Sequence, residues 1–346
     1  MSEIKVNKNL ILGAAAGAGL LGAMIYATRP RYSLLDKVVL ITGGSRGLGL
    51  VMAREFARQG ARIAICARDA EELLRATEDL EARGVTVSAS VCDLREQSDV
   101  ERMIGEVRSN FGWIDVLVNN AGVIQVGPLE LQTQRDFQEA MDIHFWAPFF
   151  TMQAVIPEMR DRGEGRIVNI VSIGGKIAVP HLAPYCASKF ALAGLSSAMS
   201  AELAKFGVRV TTVYPGLMRT GSHINAFFKG QHRAEFAMFS LMGSLPFTSI
   251  NAVSAARQIV RATRRGDAEL ILSPQAKLAA KINALFPEFT AETLSLTNRI
   301  LPGEGGIGTE LVPGRASTSA VSPSILTALA DRASVSNNEL AAKPIA

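Results

Sequence analysis

Two polar side chains in a run of small residues are suited to chemistry: Tyr185 and Lys189, in the stretch PYCASKFAL at residues 184–192. On a helix, residues four apart share a face, so the phenol and the ammonium would be neighbours. A free phenol has a pKa of about 10, and a nearby positive charge lowers that pKa. The spacing therefore predicts a tyrosine that can donate a proton to a carbonyl or take one from an alcohol.

The elements that would position this pair alternate along residues 35–275. Most candidate strands are apolar on both faces, which is typical of strands buried in a parallel sheet. Segments with helical spacing separate them, so we predict an α/β fold of the Rossmann type, doubly wound, with a seven-stranded parallel sheet and helices on both faces. The candidate strands are 37–42, 62–67, 85–91, 114–119, 165–172, 208–214 and 268–273.

A glycine-rich stretch, TGGSRGLG at residues 42–49, follows the first predicted strand and precedes a helix. Glycines permit a tight turn and let the backbone approach a pyrophosphate at the N-terminus of that helix. The spacing of Gly43, Gly47 and Gly49 differs from the common GxGxxG pattern. Its place between a strand and a helix nevertheless predicts a dinucleotide site.

The tip of the second predicted strand bears on which dinucleotide binds. NAD sites usually carry an acid there for the ribose 2′-hydroxyl. This chain has Ala67 at that place, then Arg68, and Arg46 lies in the glycine-rich stretch. Two guanidinium groups suit a 2′-phosphate, so NADP(H) is favoured over NAD(H). The alternative is an NAD(H) site that uses Asp69, with both arginines solvated.

Five ordered motifs resemble those of the short-chain dehydrogenase/reductase family: TGGSRGLG, CDL at 92–94, NNAG at 119–122, Ser172 with Tyr185-x-x-x-Lys189, and YPGLMRT at 214–220. The resemblance covers residues 35–275. It implies an oxidoreductase that interconverts a carbonyl and an alcohol, with the hydride carried by the nicotinamide cofactor.

The resemblance also implies roles for single residues. Tyr185 would be the general acid/base, Ser172 would hydrogen-bond the substrate oxygen, and Lys189 would also bind the nicotinamide ribose. The cofactor-binding residues, which include the two arginines, would be Thr42, Gly43, Ser45, Arg46, Gly47, Leu48, Gly49, Arg68, Asp93, Leu94, Asn120, Ala121, Gly122, Tyr185, Lys189, Pro215, Gly216 and Thr220.

One position departs from the family pattern. The family usually has an asparagine in the helix after the fourth strand, where it helps to position a water that leads protons from the lysine to solvent. Here MDIHFW places His144 at that position. Histidine titrates near neutrality, so our hypothesis is that His144 keeps the relay and makes turnover more sensitive to pH. The alternative is that it only packs and hydrogen-bonds.

The N-terminal segment, residues 1–34, contains an uncharged stretch at 10–27. Eighteen residues span about 27 Å as a helix, slightly less than a bilayer core of about 30 Å. We predict a membrane anchor here, with the catalytic domain on the cytoplasmic side, although the flanking charges nearly balance. A cleaved signal peptide and a packed helix are the alternatives.

The chain after the predicted domain has two parts. Residues 276–301 predict a helical extension, and 275–289 is amphipathic and basic, suited to a membrane surface or to the domain edge. Residues 302–346 are rich in Gly, Pro, Ser and Thr and lack apolar periodicity, which predicts a mobile tail with one short helix in 324–333.

The segment 221–250 is strongly apolar, and the resemblance places it over the substrate. A cleft lined in this way suits a lipophilic carbonyl or alcohol. The alternatives are an ordinary lid core, an oligomer contact, or insertion into the bilayer.

Composition narrows the remaining functions. The net charge is +4 with scattered basic residues, so nucleic acid is not indicated. The three cysteines lack the spacing of metal ligands, so we predict no metal site. A non-catalytic NADP-binding sensor or scaffold and a soluble acyl-carrier-protein ketoreductase stay open as alternatives. The resemblance also implies homodimers or homotetramers formed through helices around 133–160 and 183–206.

Overall fold

A seven-stranded parallel sheet forms the centre of the part that the computed structural model describes, residues 31–340. The strands of the chain are β1 Val38–Thr42, β2 Arg62–Ala67, β3 Val87–Val91, β4 Val116–Asn119, β5 Gln125–Val126, β6 Gly165–Ile170, β7 Val208–Tyr214, β8 Leu217–Arg219, β9 Phe227–Phe228, β10 Ser249–Asn251, β11 Glu269–Ile271 and β12 Val312–Pro313. The large sheet has the order β11-β7-β6-β4-β1-β2-β3. This arrangement confirms the predicted doubly wound sheet.

Helices cover both faces of that sheet. They are α1 Gly47–Ala57, α2 Ala70–Glu81, α3 Gln97–Phe111, α4 Gln134–Met141, α5 Ala147–Asp161, α6 Ala183–Leu203, α7 His232–Ser244, α8 Ala252–Arg265, α9 Pro274–Leu285, α10 Pro287–Asn298 and α11 Ala328–Ser336. A π-helical turn, Asp142–Trp146, joins α4 to α5.

The continuous apolar character of the strands follows from burial on two sides. In β1, Val39 and Ile41 pack into a core with Phe56 of α1, while Leu40 packs into a second core with Met103 of α3. Burial of each such side chain contributes about 1.5–3 kcal/mol to folding. The two cores bury the strands from both sides. Because the strands are parallel, their carboxyl ends meet at one edge of the sheet, where ligands bind in sheets of this kind.

Residues 302–340 contain more regular structure than the predicted mobile tail with one short helix. Strand β12 pairs antiparallel with β9, which also pairs with β5 in a small three-stranded sheet. Helix α11 and the residues after it pack on the domain through hydrogen bonds of Ser, Thr and Asn side chains, such as Ser334 to the carbonyl oxygen of Gly221. Such contacts need no apolar periodicity, so the pattern that we searched for could not indicate them.

The apolar segment 221–250 builds part of its own core. Phe228 and Phe236 are buried against Val126 and Ala226, which agrees with the ordinary lid core for these two side chains. Phe247, by contrast, is 86% exposed.

Helices α9 and α10 occupy the range of the predicted helical extension. They and the residue between them expose several large apolar side chains, which are Leu278, Leu285, Phe286, Phe289 and Leu296. The predicted anchor, residues 10–27, lies outside the described residues. Within residues 31–340, no helix combines the length and apolar character that crossing a membrane requires.

Candidate active site

Ser172, Tyr185 and Lys189 come together at the carboxyl edge of the sheet. Ser172 follows β6, and Tyr185 and Lys189 lie on α6. Pro184 lies in the first turn of α6, where proline is favourable. A Cβ placed on Gly174 would lie 3.3 Å from Tyr185 Cε1 and 3.4 Å from Ser172 Oγ, and Ser172 hydrogen-bonds the phenol. Lys189 Nζ lies 5.7 Å from the centroid of the tyrosine ring. The predicted trio is therefore one cluster.

The pKa of Tyr185 shifts in the direction opposite to our expectation. Desolvation by the surrounding protein raises it to about 12, and the Ser172 hydrogen bond only partly offsets this. Burial also lowers the pKa of Lys189 to about 7, and its amine donates to the carbonyl oxygen of Ile170 at 2.9 Å. The ammonium thus faces the backbone and the ring rather than stabilising a phenolate, because desolvation disfavours both charged forms.

His144 is buried between α6 and the loop after β4. The Val123 N–H donates to His144 Nε2 at 3.2 Å, so Nδ1 carries the proton and donates to Ser188 Oγ at 2.8 Å. Burial and the charge of Lys189 lower the pKa of His144 well below its usual value. The imidazole is therefore neutral near pH 7, and its ring packs nearly perpendicular to that of Tyr185, with 5.2 Å between the centroids. These contacts favour the alternative in which His144 packs and hydrogen-bonds.

A buried polar network behind the cluster fixes α6 against the sheet. Thr151 Oγ1 donates to Asn119 Oδ1 at 2.7 Å, and Asn119 Nδ2 donates to Asn169 Oδ1 at 2.9 Å. Asn169 Nδ2 in turn donates to Ser196 Oγ on α6, which contacts the hydroxyl of Thr212. Because every link is satisfied, the network adds rigidity without the cost of an unpaired polar group.

The glycine-rich stretch, residues 42–49, forms the tight turn that a dinucleotide site needs. Gly43 and Gly47 adopt φ of 62° and 56°, which favours glycine. A Cβ on Gly49 would lie 2.0 Å from the Gly43 carbonyl oxygen, and Asn120 Nδ2 bonds the Thr42 and Gly43 carbonyl oxygens at 3.1 Å. Within Gly47–Ala57, the N-terminus of α1 has no side-chain cap and no acidic residue in its first turn. These features fit a bound phosphate group.

The charges beside this loop are only partly those that we predicted. Arg46 Nη1 pairs with Glu72 at 2.8 Å, and Ser45 Oγ donates to the same carboxylate at 3.3 Å. Asp69, the acid of the alternative NAD(H) site, accepts from the Glu72 N–H at 2.9 Å and so caps α2. Arg68 is exposed at the end of β2. The tip of β2 thus presents Arg68, while Arg46 is engaged by an acid.

The other predicted cofactor residues flank the same edge. Ala121 and Gly122 follow β4, and a Cβ on Gly43 would lie 2.9 Å from Ala121 Cα. Asp93 lies beyond β3, where Arg95 binds it and lowers the pKa of its carboxyl. Of the remaining positions, Thr42 ends β1, Leu48 lies in the first turn of α1, and the others follow strands: Leu94 after β3, Asn120 after β4, Pro215 and Gly216 after β7, and Thr220 after β8.

Sequence reasoning missed four residues at the cofactor loop: Glu72, Asn337, Asn338 and Glu339. Asn338 Nδ2 donates to the Ser45 and Glu72 carbonyl oxygens at 2.8 and 2.9 Å. Asn337 O accepts from the Gly47 N–H at 2.8 Å. Acidic residues are favoured in the first turn of a helix, so the sequence gave no reason to assign Glu72 to the cofactor loop. Residues 337–339 were missed because nothing in the sequence indicates a contact with a loop so distant in the chain.

Comparison with known proteins identifies the family. The short chain dehydrogenase family matches residues 37–228. The chain is 34% identical over 269 residues to Dehydrogenase/reductase SDR family member 7B of Danio rerio, covering 75% of this chain and 85% of that protein. A Streptomyces coelicolor protein whose name describes a ketoacyl reductase is 37% identical over 187 residues, which cover 54% of this chain and 72% of that protein.

Solved structures agree with this result. L-Sorbose reductase from Gluconobacter frateurii, complexed with NADPH and L-sorbose, superimposes with a TM-score of 0.63 at 25% identity. The match covers 70% of this chain and 97% of that one.

The fold and the site define an oxidoreductase acting on CH–OH and C=O groups, and the chain belongs to the short chain dehydrogenase family. The family binds a nicotinamide cofactor, which supplies the hydride when bound. In this chain, residues 42–49 and the N-terminus of α1 would hold its phosphates, and Lys189 would lie at the reacting end. Ser172 and Tyr185 would contact the substrate oxygen.

Proposed function

We propose that the protein is an NADP(H)-dependent reductase that interconverts a carbonyl and an alcohol, with Tyr185 as general acid/base. The observation that carries the proposal is the cluster of Ser172, Tyr185 and Lys189 at the same sheet edge as the glycine-rich loop. With a pKa of about 12, the phenol keeps its proton at physiological pH, which suits a proton donor in the direction of reduction. Ser172 would hydrogen-bond the same substrate oxygen and stabilise the charge that develops on it.

The preference for NADP(H) is supported by the exposed Arg68 and by Asp69, whose carboxylate is used in capping α2. A guanidinium bonded to a phosphate contributes about 1.5–3 kcal/mol, so Arg68→Ala should weaken NADPH binding roughly tenfold or more and leave NADH binding unchanged. Arg58→Ala, which removes an exposed arginine paired with Glu55, is the control. Equal effects of Arg68→Ala on both dinucleotides would contradict the preference.

The proposed substrate is lipophilic, because the segment 221–250 is apolar and because two of its side chains, Met242 and Phe247, stay exposed. A second candidate is a 3-oxoacyl thioester on a carrier protein, which is favoured by the ketoacyl reductase name of the Streptomyces coelicolor relative.

One assay separates these functions: NADPH oxidation measured by absorbance with hydrophobic ketones, a 3-oxoacyl carrier protein and a ketose. We expect the highest kcat/KM with a hydrophobic ketone. A preference for the carrier-bound thioester would support the second candidate, and a preference for the ketose would contradict both. Cofactor binding without turnover of any substrate would indicate a sensor or scaffold.

Membrane attachment through residues 10–27, with the catalytic domain on the cytoplasmic side, is part of this proposal. The exposed apolar side chains of α9 and α10 support a position near lipid, since they would lose contact with water there. The test is cell fractionation of the full chain and of a chain lacking residues 1–30. Membrane association that persists after the deletion would contradict the anchor.

A homodimer or homotetramer is also part of this proposal. Trp146, beside α5, and Phe190, on α6, are 41% and 45% exposed on the helices where the family resemblance implies an interface. Sedimentation equilibrium should give two or four chains per particle, and Phe190→Glu should lower that number. A single chain per particle would contradict the proposal.

A further inference from the structure

Residues 337–339, which we name the C-terminal strap, cross the cofactor end of the site. At one side, the strap bonds the glycine-rich loop through Asn337 and Asn338. At the other, Asn337 Nδ2 donates to the Thr220 carbonyl oxygen at 3.0 Å, and Asn225 Nδ2 donates to Glu339 Oε2 at 2.7 Å. The strap thus joins the two loops between which a dinucleotide would lie.

The strap uses the groups that would bind phosphate. The Gly47 N–H, at the N-terminus of α1, donates to the Asn337 carbonyl oxygen. A Cβ placed on Gly47 would meet Glu339 Oε1 at 2.5 Å and Glu339 Cδ at 3.6 Å, and no described residue other than its chain neighbours and its own helix would lie within 4 Å. Arg46 Nε lies 3.5 Å from the Glu339 carboxylate. The space and the charge at this loop are therefore taken by an acidic side chain of the same chain.

We infer that the C-terminal strap competes with the nicotinamide dinucleotide for the glycine-rich loop, so that residues 337–339 determine cofactor affinity. The inference rests on the proposed function only in taking that dinucleotide as the ligand. Glu339 occupies the place of an anion, and binding of the dinucleotide releases the strap from Gly47 and Arg46.

The strap is held by contacts that a few substitutions can remove. Asn338 has a φ of 58°, which asparagine tolerates better than other non-glycine residues, and its amide group bonds Ser45 and Glu72 and accepts from Arg75. Asn338→Ala would lose these bonds and add backbone strain. Displacing the strap should therefore cost less free energy in this variant, and the cofactor should bind more tightly.

Glu339 couples the strap to pH. Burial raises the pKa of its carboxyl to about 7, and the charged groups that face it are Arg46 from the glycine-rich loop and Glu72 from α2, with the amide of Asn225 opposite. A docked carboxyl with a raised pKa binds more protons than a released one, so docking strengthens as the pH falls from 8 to 6. Cofactor binding should weaken over the same range.

The experiment measures the Kd of NADPH and of NADH by calorimetry for the full chain, for a chain ending after Ser336, and for Asn338→Ala. We expect both changes to tighten both dinucleotides roughly three- to tenfold, the equivalent of one or two hydrogen bonds. Ser336→Ala is the control, because its hydroxyl bonds Ala333 within α11. The Kd ratio of full to shortened chain should rise as the pH falls from 8 to 6, and Glu339→Gln should flatten that rise.

Weaker binding in the two variants would overturn the inference, since the strap would then be a clamp on the bound cofactor, and an unchanged Kd would overturn it as well. If the shortened chain melts below the assay temperature, Asn338→Ala decides. Hydrogen exchange gives an independent reading: residues 334–340 should exchange faster after NADPH is added, and slower exchange would contradict release. If no form binds either dinucleotide while all remain folded, the proposed function itself fails.

Discussion

The cluster of Ser172, Tyr185 and Lys189 and the glycine-rich loop lie at the same sheet edge but are held in different ways. Lys189 bonds Ile170, and Ser172 accepts from the Gly174 N–H at 3.0 Å, so the cluster is positioned by nearby parts of the core. The loop instead bonds Asn338, which follows Ser45 by 293 positions. The comparison indicates that the side chains of the proposed catalytic cluster are fixed by the core, whereas the proposed cofactor loop depends on a distant segment.

The largest effect expected in the cluster comes from Tyr185→Phe. The ring and its contact with His144 would stay, but the proton donor would be lost, so kcat should fall roughly 10²–10⁴-fold. Steady-state kinetics measure this fall, and the Kd of NADPH should change far less than kcat because the glycine-rich loop is held separately.

Tyr32→Phe is the matched control, because the Tyr32 hydroxyl is buried and has no hydrogen-bond partner among residues 31–340. Equal kcat values for Tyr185→Phe and Tyr32→Phe would refute the role of Tyr185.

Gly49→Ala should distort the glycine-rich loop. The new Cβ would lie 2.0 Å from Gly43 O and 2.7 Å from Asn120 Nδ2, so the loop backbone must shift, at a cost of about 1–3 kcal/mol in unfolding free energy. The Kd of NADPH should rise with it. Gly105→Ala, within α3 and with open space around it among the described residues, should stabilise by about 0.5–1 kcal/mol. Urea unfolding checks both, and equal changes would contradict the steric argument.

The cluster should also respond to pH through Lys189, whose pKa burial lowers to about 7. Because the ammonium that would bind the nicotinamide ribose deprotonates as the pH rises, kcat/KM for reduction should fall above about pH 7, by up to about tenfold per pH unit. The stability term has the opposite sign: between pH 7 and 10.5 the unfolded chain binds more protons, so this group favours the folded state more as the pH rises. A flat kcat/KM profile from pH 6 to 9 would contradict the need for the charged amine.

Sequence patterns were sufficient for the sheet and for placing Tyr185 and Lys189 on one helix, because period and helical spacing are local properties, whereas Ser172 was added by the family resemblance. They gave the wrong direction for the pKa of Tyr185, since burial depends on how distant elements pack. They also gave no sign of the strap, whose Asn337, Asn338 and Glu339 form polar contacts without any repeat. Glu72 was equally hidden, because its contact with Arg46 arises only when the loop and α2 are brought together.

The smallest effect should come from His144→Asn. A neutral imidazole that bonds Val123 and Ser188 has no charge to lose near pH 7, so the pH–rate profiles should superimpose within about twofold. A profile displaced along the pH axis would instead support a proton relay through His144.

The number of residues in the π-helical turn Asp142–Trp146 sets how the side chains before the turn are oriented relative to those after it. A wide turn of this kind holds one residue more than an α-helical turn, and each residue of an α-helix advances about 100° around the axis. Deletion of a single residue here would leave an unbroken helix but would rotate the side chains before the gap away from those after it. Insertions and deletions, which loops accept easily, should therefore be excluded from this short stretch in any active variant.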